Sequence, residues 1–239
     1  MKRIHLLVWL LWTAIGWSQT LTVLETNDTL QRPKYQQFIY LSPTTAVEQA
    51  VFVAQIKASG SLRHITALYD TIKAKAQAYG ANAFQFVSFT APDPKNGELI
   101  LNTYLAPDEL LDTNFDALPK NKLYVYGSAN FLDTNLQSYK VQGQKQAIGA
   151  GQFRVYDLTE QEELRINKGG FTGMTLFLSK QTNGYCQFLT FGGIGLAGAA
   201  VNTYGGVGVS ITTGSISHLE PNLALLLLHI YTENKGQQP

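Results

Sequence analysis

Few side chains in this chain could carry out chemistry. Apart from His5 near the N-terminus, the histidines are His64, His218 and His229, and imidazole is the usual proton carrier near neutral pH. None stands in a catalytic spacing. There is no His-Glu-x-x-His for zinc and no pair of closely spaced cysteines, and Gly208-Val-Ser210-Ile-Thr212 misses the nucleophile elbow G-x-S-x-G at its final residue. His64 sits on a helical stretch beside Ser61 and Leu68, His218 precedes the turn at Glu220-Pro221, and His229 lies inside a leucine run, so each fits a structural role. Cys186 has no second cysteine to pair with, and partial burial of its sulfur is expected rather than a reactive thiol. The carboxylate pairs Asp108-Glu109 and Glu162-Glu163 fall in polar turns and read as solvated surface. His64, His218 and Cys186 are the pocket candidates; no catalytic, metal-binding or cofactor-binding residue is expected.

Gly193-Ile-Gly195-Leu-Ala-Gly198 spells the G-x-G-x-x-G that cradles a dinucleotide pyrophosphate when it joins a strand to a helix. Its surroundings argue against that use. The elements before it read as strand after strand, and Gly205-Gly206 breaks the chain before a long helix could form. From Gln181 to Ser217 there is no charged side chain. That stretch is open to three readings: close-packed strands and turns, membrane contact, or an assembly surface, in which case Gly193, Gly195, Gly198, Tyr204, Gly205 and Gly206 would line the interface.

The chain opens MKRIHLLVWLLWTAIGWSQ, with Lys2 and Arg3 before an apolar run of about ten residues and a small-x-small site at Gly16-Trp17-Ser18. That is the pattern of a secretory signal peptide, too short to span a bilayer. Without residues 1–18 the formal charge moves from +1 to −1, 18 basic residues becoming 16 against 17 acidic ones. No basic cluster is then present to neutralise phosphates, so no nucleic-acid partner is expected. With one cysteine the exported chain cannot close an intramolecular disulfide, and its stability must come from packing. No cysteine follows the cleavage site, so the protein is expected to be periplasmic or secreted, and not a lipoprotein.

Residues 19–45 read as a polar N-terminal lead with one strand, Gln37 to Leu41. Residues 46–118 read as a β-α-β-β unit: a strand over Ala50 to Lys57, a helix capped by Ser61 whose apolar stripe runs Leu62, Ile65, Leu68, Tyr69, Ile72, Ala76 and Tyr79, and a strand from Ala83 to Thr90 covered on both faces. Gly80 should end the helix in a left-handed conformation, and Asn96-Gly97 should turn the chain into a partner strand, Glu98 to Ala106. A short helix in Pro107 to Lys122 leads to a boundary at Pro119-Lys120-Asn121. Residues 119–239 then carry strand candidates Lys122–Tyr126, Ser138–Val141, Gln152–Tyr156, Glu163–Ile166, Met174–Leu178 and Tyr185–Phe191, the rhythm of an antiparallel sandwich or small barrel. Leu223 to Tyr231 is apolar throughout and half the length of a membrane span; it fits a central strand or a buried helix, and is read as a C-terminal strand that completes the core. The fold class is therefore α+β.

The run KAKAQAYGANAFQFVSF, Lys73 to Phe89, resembles the helix, Gly-Ala-Asn and strand of small bacterial envelope domains, the Rcs stress-sensing lipoprotein and the YbjQ-like proteins. The resemblance spans about residues 50–106 and implies a βαββ fold. Those lipoproteins carry an acylated cysteine and disulfides absent here, so neither their anchoring nor their redox signalling is implied, and no functional residue transfers. The C-terminal half, LYVYGSANF onward, resembles exported bacterial β-sandwich domains of unassigned function. Together these features point to a non-enzymatic envelope module that binds an envelope protein or its own copies, or touches a membrane peripherally, with its small-molecule ligand open and no cofactor. The alternatives are a hydrolase whose site forms only in the fold, around His64 or His218, and metal or stress sensing through the βαββ unit.

Overall fold

The structure, a computed structural model, describes residues 19–27, 35–169, 174–191 and 216–235. The expected signal peptide, and Gly193, Gly195, Gly198, Tyr204, Gly205 and Gly206, lie outside the described residues. Among the described residues the chain is α+β and mostly strand, with fourteen strands in three sheets and three α-helices.

The first sheet contains β1 (Thr20–Thr26), β2 (Ile39–Tyr40), β3 (Val51–Ser61), β4 (Ala83–Thr90) and β5 (Asn96–Leu105), in the order β1-β3-β5-β4-β2. Helix α1 (Ile65–Ala78) joins β3 to β4, and both strands pair antiparallel with β5 between them. Its predicted stripe is buried at Ile65, Leu68, Tyr69, Ile72 and Ala76, in one cluster with Ile56, Ala58, Phe84, Leu99 and Leu101. Ser61 Oγ does accept from the Arg63 N–H, at 3.3 Å, but it caps a 3-10 turn, Leu62–His64, that feeds the helix. At the other end Gly80 has φ 89°. The Gly80 N–H donates to Gln77 O at 3.1 Å and the Ala81 N–H to Ala76 O at 3.0 Å, the paired bonds of a Schellman motif. Asn82 then extends the ladder with its side chain: Nδ2 donates to Ala106 O at 2.8 Å and Oδ1 accepts from Ala106 N–H at 2.7 Å.

Four details of this half differ from expectation. The lead supplies two strands, because β1 pairs along β3 as an edge strand with only Leu21 and Val23 half-covered, a pattern too polar to announce itself. Within Gln37 to Leu41 only Ile39–Tyr40 joins the sheet, parallel to β4. Asn96 and Gly97 do not make the turn. They already pair with Ser61 and Gly60, while the Asp93 carboxylate turns the chain by accepting from the N–H groups of Lys95 and Asn96 at 2.7 and 2.9 Å. Gly97 is kept for space, since a Cβ there would come within 2.9 Å of both Leu62 and Phe89. Finally, β4 is covered on both faces only at Ala83 and Phe84; a bulge after Phe86 leaves Val87 exposed.

Helix α2 (Asp108–Ala117) follows, with Asp108 and Glu109 in its first turn, where carboxylates favour the helix dipole. Beyond it, β6 (Lys122–Tyr126) and β11 (Met174–Leu178) fall on their predicted bounds, and β7 (Gln137–Val141), β9 (Gln152–Asp157), β10 (Leu164–Lys168) and β12 (Gln187–Thr190) lie within a residue or two of theirs. An additional strand, β8 (Gln144–Ile148), forms a hairpin with β7 through Gln142 and Gly143, both at positive φ (48° and 82°), as a two-residue primed turn requires. One sheet runs β11-β10-β7-β8; the other runs β13-β12-β6-β9-β14, with β13 (Ser217–His218) and β14 (Thr232–Glu233) at its edges. The second of these is mixed, since β12 lies parallel to β6 and β14 parallel to β9.

The leucine run is helix α3 (Pro221–Leu227), not a strand. Pro221 opens it, and Glu220 caps it by accepting from the N–H groups of Asn222 and Leu223. Leu223 to Leu227 are all buried because the helix packs between β2 and β12, so its apolar run has no polar face to reveal a period. Strand β6 alternates between two cores. Leu123 and Val125 join Tyr139, Val141, Ile166 and Leu178 of the four-stranded sheet, whereas Tyr124 and Tyr126 join α3 and the first sheet. The largest apolar cluster thus draws on residues from both sides of Pro119-Lys120-Asn121.

Just after β6 the backbone comes closest to itself. A Cβ on Gly127 would run into the carbonyl oxygen of Gly149 and lie 2.8 Å from its carbon. Gly127→Ala should therefore cost about 1–3 kcal/mol by forcing two backbones apart, read as a lowered denaturant midpoint at unchanged slope.

Candidate functional site

The most concentrated set of titratable and polar groups surrounds Tyr40. Its backbone N–H donates to Asn222 Oδ1 at 2.9 Å and its carbonyl accepts from Asn114 Nδ2 at 2.9 Å. Its hydroxyl meets His229 Nε2 at 2.6 Å. The His229 ring lies stacked on Phe86, 4.7 Å between centroids at 12°. Asn114 in turn accepts from Ser42 N–H at 2.7 Å and from Thr45 Oγ1 at 2.9 Å, so a run of amide and hydroxyl bonds ties α2, β2 and the turn after α3. Burial raises Tyr40 to about 12 and lowers the His229 imidazole from its ordinary 6.5. Both effects favour a neutral pair in which the phenol donates and the imidazole accepts. That arrangement holds elements together, and among the described residues no serine, cysteine or carboxylate bonds to the His229–Tyr40 pair as a nucleophile and base would require.

The pocket candidates lie on three separate elements. His64 is the exposed residue just before α1, with no side-chain bond to the helix end. His218 is in β13, opposite Leu189 of β12; it is exposed at the surface, and desolvation by the neighbouring protein lowers its pKa. Cys186 precedes β12 and is half-buried, its thiol donating to Pro119 O at 3.2 Å. Burial pushes that thiol upward more than Lys122 and Lys120 pull it down, so the sulfur stays protonated and is a poor nucleophile. Among the described residues, no three of His, Cys, Asp and Glu gather as metal ligands would. No helix among them is long and apolar enough to cross a membrane.

Two groups were not legible as site residues. His229 and Tyr40 are 189 positions apart, and only the closed fold brings them together. Arg154 is buried at 8 % exposure beside the Tyr139 phenol, and its guanidinium reaches amide oxygens: Nε and Nη2 donate to O and Oδ1 of Asn234 at 3.2 and 2.9 Å, and Nη1 donates to Gln146 Oε1. This guanidinium fastens the segment after β14 onto β9.

Compared with known proteins, the chain matches no family model, no curated protein and no solved structure.

The lowered imidazoles give stability a definite pH dependence. The unfolded chain takes up protons on His218 and His229 that the folded chain resists, so stability is fully present above 6.5 and is lost as pH falls through their depressed folded values. The thermal midpoint should fall between about pH 7 and about pH 5, and the H218Q/H229Q variant should fall less over that interval. An equal fall in the variant would assign the effect to other groups.

Proposed function

We propose that the protein is an exported, non-enzymatic module of the cell envelope that binds or assembles through its strand-rich C-terminal half. Its β3-α1-β4-β5 arrangement is read as a βαββ unit like that of the small envelope domains, and the two following sheets, which share a core on one face of β6, as a sandwich-like second unit. The observation that carries this reading is the use made of the side chains suited to catalysis. Cys186 bonds a carbonyl as a thiol, His218 belongs to a ladder, and His229 stacks on Phe86 against Tyr40. Each joins its own segment to a neighbouring one.

A fractionation of cells producing the chain with a C-terminal tag tests the reading. The tagged protein should leave the cytoplasm, shortened by the length of residues 1–18, and sediment in part with washed envelopes. Full-length protein confined to the cytoplasm would overturn it.

A further inference from the structure

The outward face of the four-stranded sheet has a charge arrangement that folding alone does not account for. Register sets Lys140 of β7 directly opposite Lys145 of β8, with both side chains exposed on one face. Directly opposed like charges destabilise a strand pair, with side chains about 5 Å apart at Cβ. On β10, Asn167 continues the same row beside Lys140, and Thr175 of β11 closes it, Asn167 Nδ2 donating to Thr175 Oγ1 at 2.8 Å. Two residues along lie Arg165 and its cross-strand partner Phe177, the guanidinium 5.9 Å from the ring centroid and the phenylalanine 59 % exposed. The ion pairs among the described residues are Lys57–Glu98, Lys122–Asp157 and Lys180–Glu160, so Lys140, Lys145 and Arg165 have no described carboxylate partner.

We propose that this face, with Lys140, Lys145, Arg165 and Phe177 as its contacts, binds an acidic polysaccharide. The proposal rests on reading the protein as a binding module and names the class of its ligand. Three cations without acids complement a chain of carboxylates or sulfates, and the guanidinium can engage a carboxylate through two parallel bonds. Phe177 offers an apolar plate beside that contact, fit for the C–H face of a sugar ring, while Asn167 and Thr175 set a polar, hydrogen-bonding floor between the charges. A bilayer suits the face less well. Within the four strands Phe177 is the one large exposed apolar side chain, and each cation near an anionic leaflet adds only about 1 kcal/mol. Nucleic acid suits it less as well, because single-strand binding uses successive aromatic platforms and phosphate binding more cations than these.

Purified protein covering residues 19–239 would be titrated with polygalacturonate, with dextran as the neutral control. Polygalacturonate should bind, more weakly as salt rises, and dextran should not. The K140Q/K145Q variant should bind on the order of tenfold more weakly, and F177A roughly threefold. K145E, which places a carboxylate opposite Lys140, should lose binding while its thermal midpoint holds or rises, which separates lost contacts from lost fold. K57Q, in β3 of the first sheet, should bind as the parent does. The proposal falls if neither polygalacturonate nor heparin binds, if the folded variants bind undiminished, or if phosphatidylglycerol vesicles or single-stranded DNA bind as tightly with the same residue dependence. Failure here with the tagged protein still on envelopes removes the polysaccharide and leaves the envelope module; confinement to the cytoplasm removes the module, whatever the titration gives.

Discussion

The structure depends on β6 being buried on both faces. Leu123, Val125 and Tyr126 are fully covered and Tyr124 nearly so, and the pleat sends alternate side chains into two separate cores. A strand in that position needs a layer on each side. The four-stranded sheet supplies one, and α3 with the first sheet supplies the other. Burial on both faces fits the parallel pairing of β12 with β6, since parallel pairing is common where neither face meets water; the parallel β14 at the sheet's edge is exposed. The tyrosines bring a polar atom into the second core, which Tyr126 satisfies by donating to Ala224 O at 2.8 Å.

Around that strand the polar bonds act mainly as fasteners. Glu220 caps α3 and accepts from the Asn222 amide; Asn222 accepts from Tyr40; Tyr40 is held on its other side by Asn114 of α2. In this network the amides of Asn114 and Asn222 use both their oxygen and their nitrogen, which is the condition for such a network to stabilise rather than penalise a core. The same economy holds at Arg154, where amide oxygens of Asn234 and Gln146 receive a buried cation without an acid nearby. Side chains that could have formed a reactive centre are bound into these seams. Lys140, Lys145 and Arg165, on the open face of the four-stranded sheet, take no part in these seams.

Local rules made part of this legible in the sequence. The α1 stripe and its glycine stop follow from three-and-four spacing and from the positive φ that Gly80 alone takes without strain, and β6 and β11 follow from β-branched and aromatic runs between turn residues. Elsewhere a tertiary cause overrode the local signal. Pattern could not distinguish α3 from a strand, because burial on all sides erases the period. β8 was missed because its turn has Gln142 where asparagine is the usual cue. The Asn96-Gly97 pair looked like a turn yet serves close packing, while Asp93 turns the chain from three residues earlier. Neither the meeting of His229 with Tyr40 nor the opposition of Lys140 to Lys145 has any mark along the chain, since both arise from register and closure.

The join between Tyr40 and the residues after α3 has a kinetic consequence. Partners 182 and 189 positions apart cannot meet until the chain has been made through His229, so the seam beside β2 forms later in synthesis than the local contacts of the first sheet. Until then the apolar surface destined for α3 stays uncovered and the nascent chain remains loose. A seam between residues so far apart can close only after both have been made, whichever elements have already formed between them.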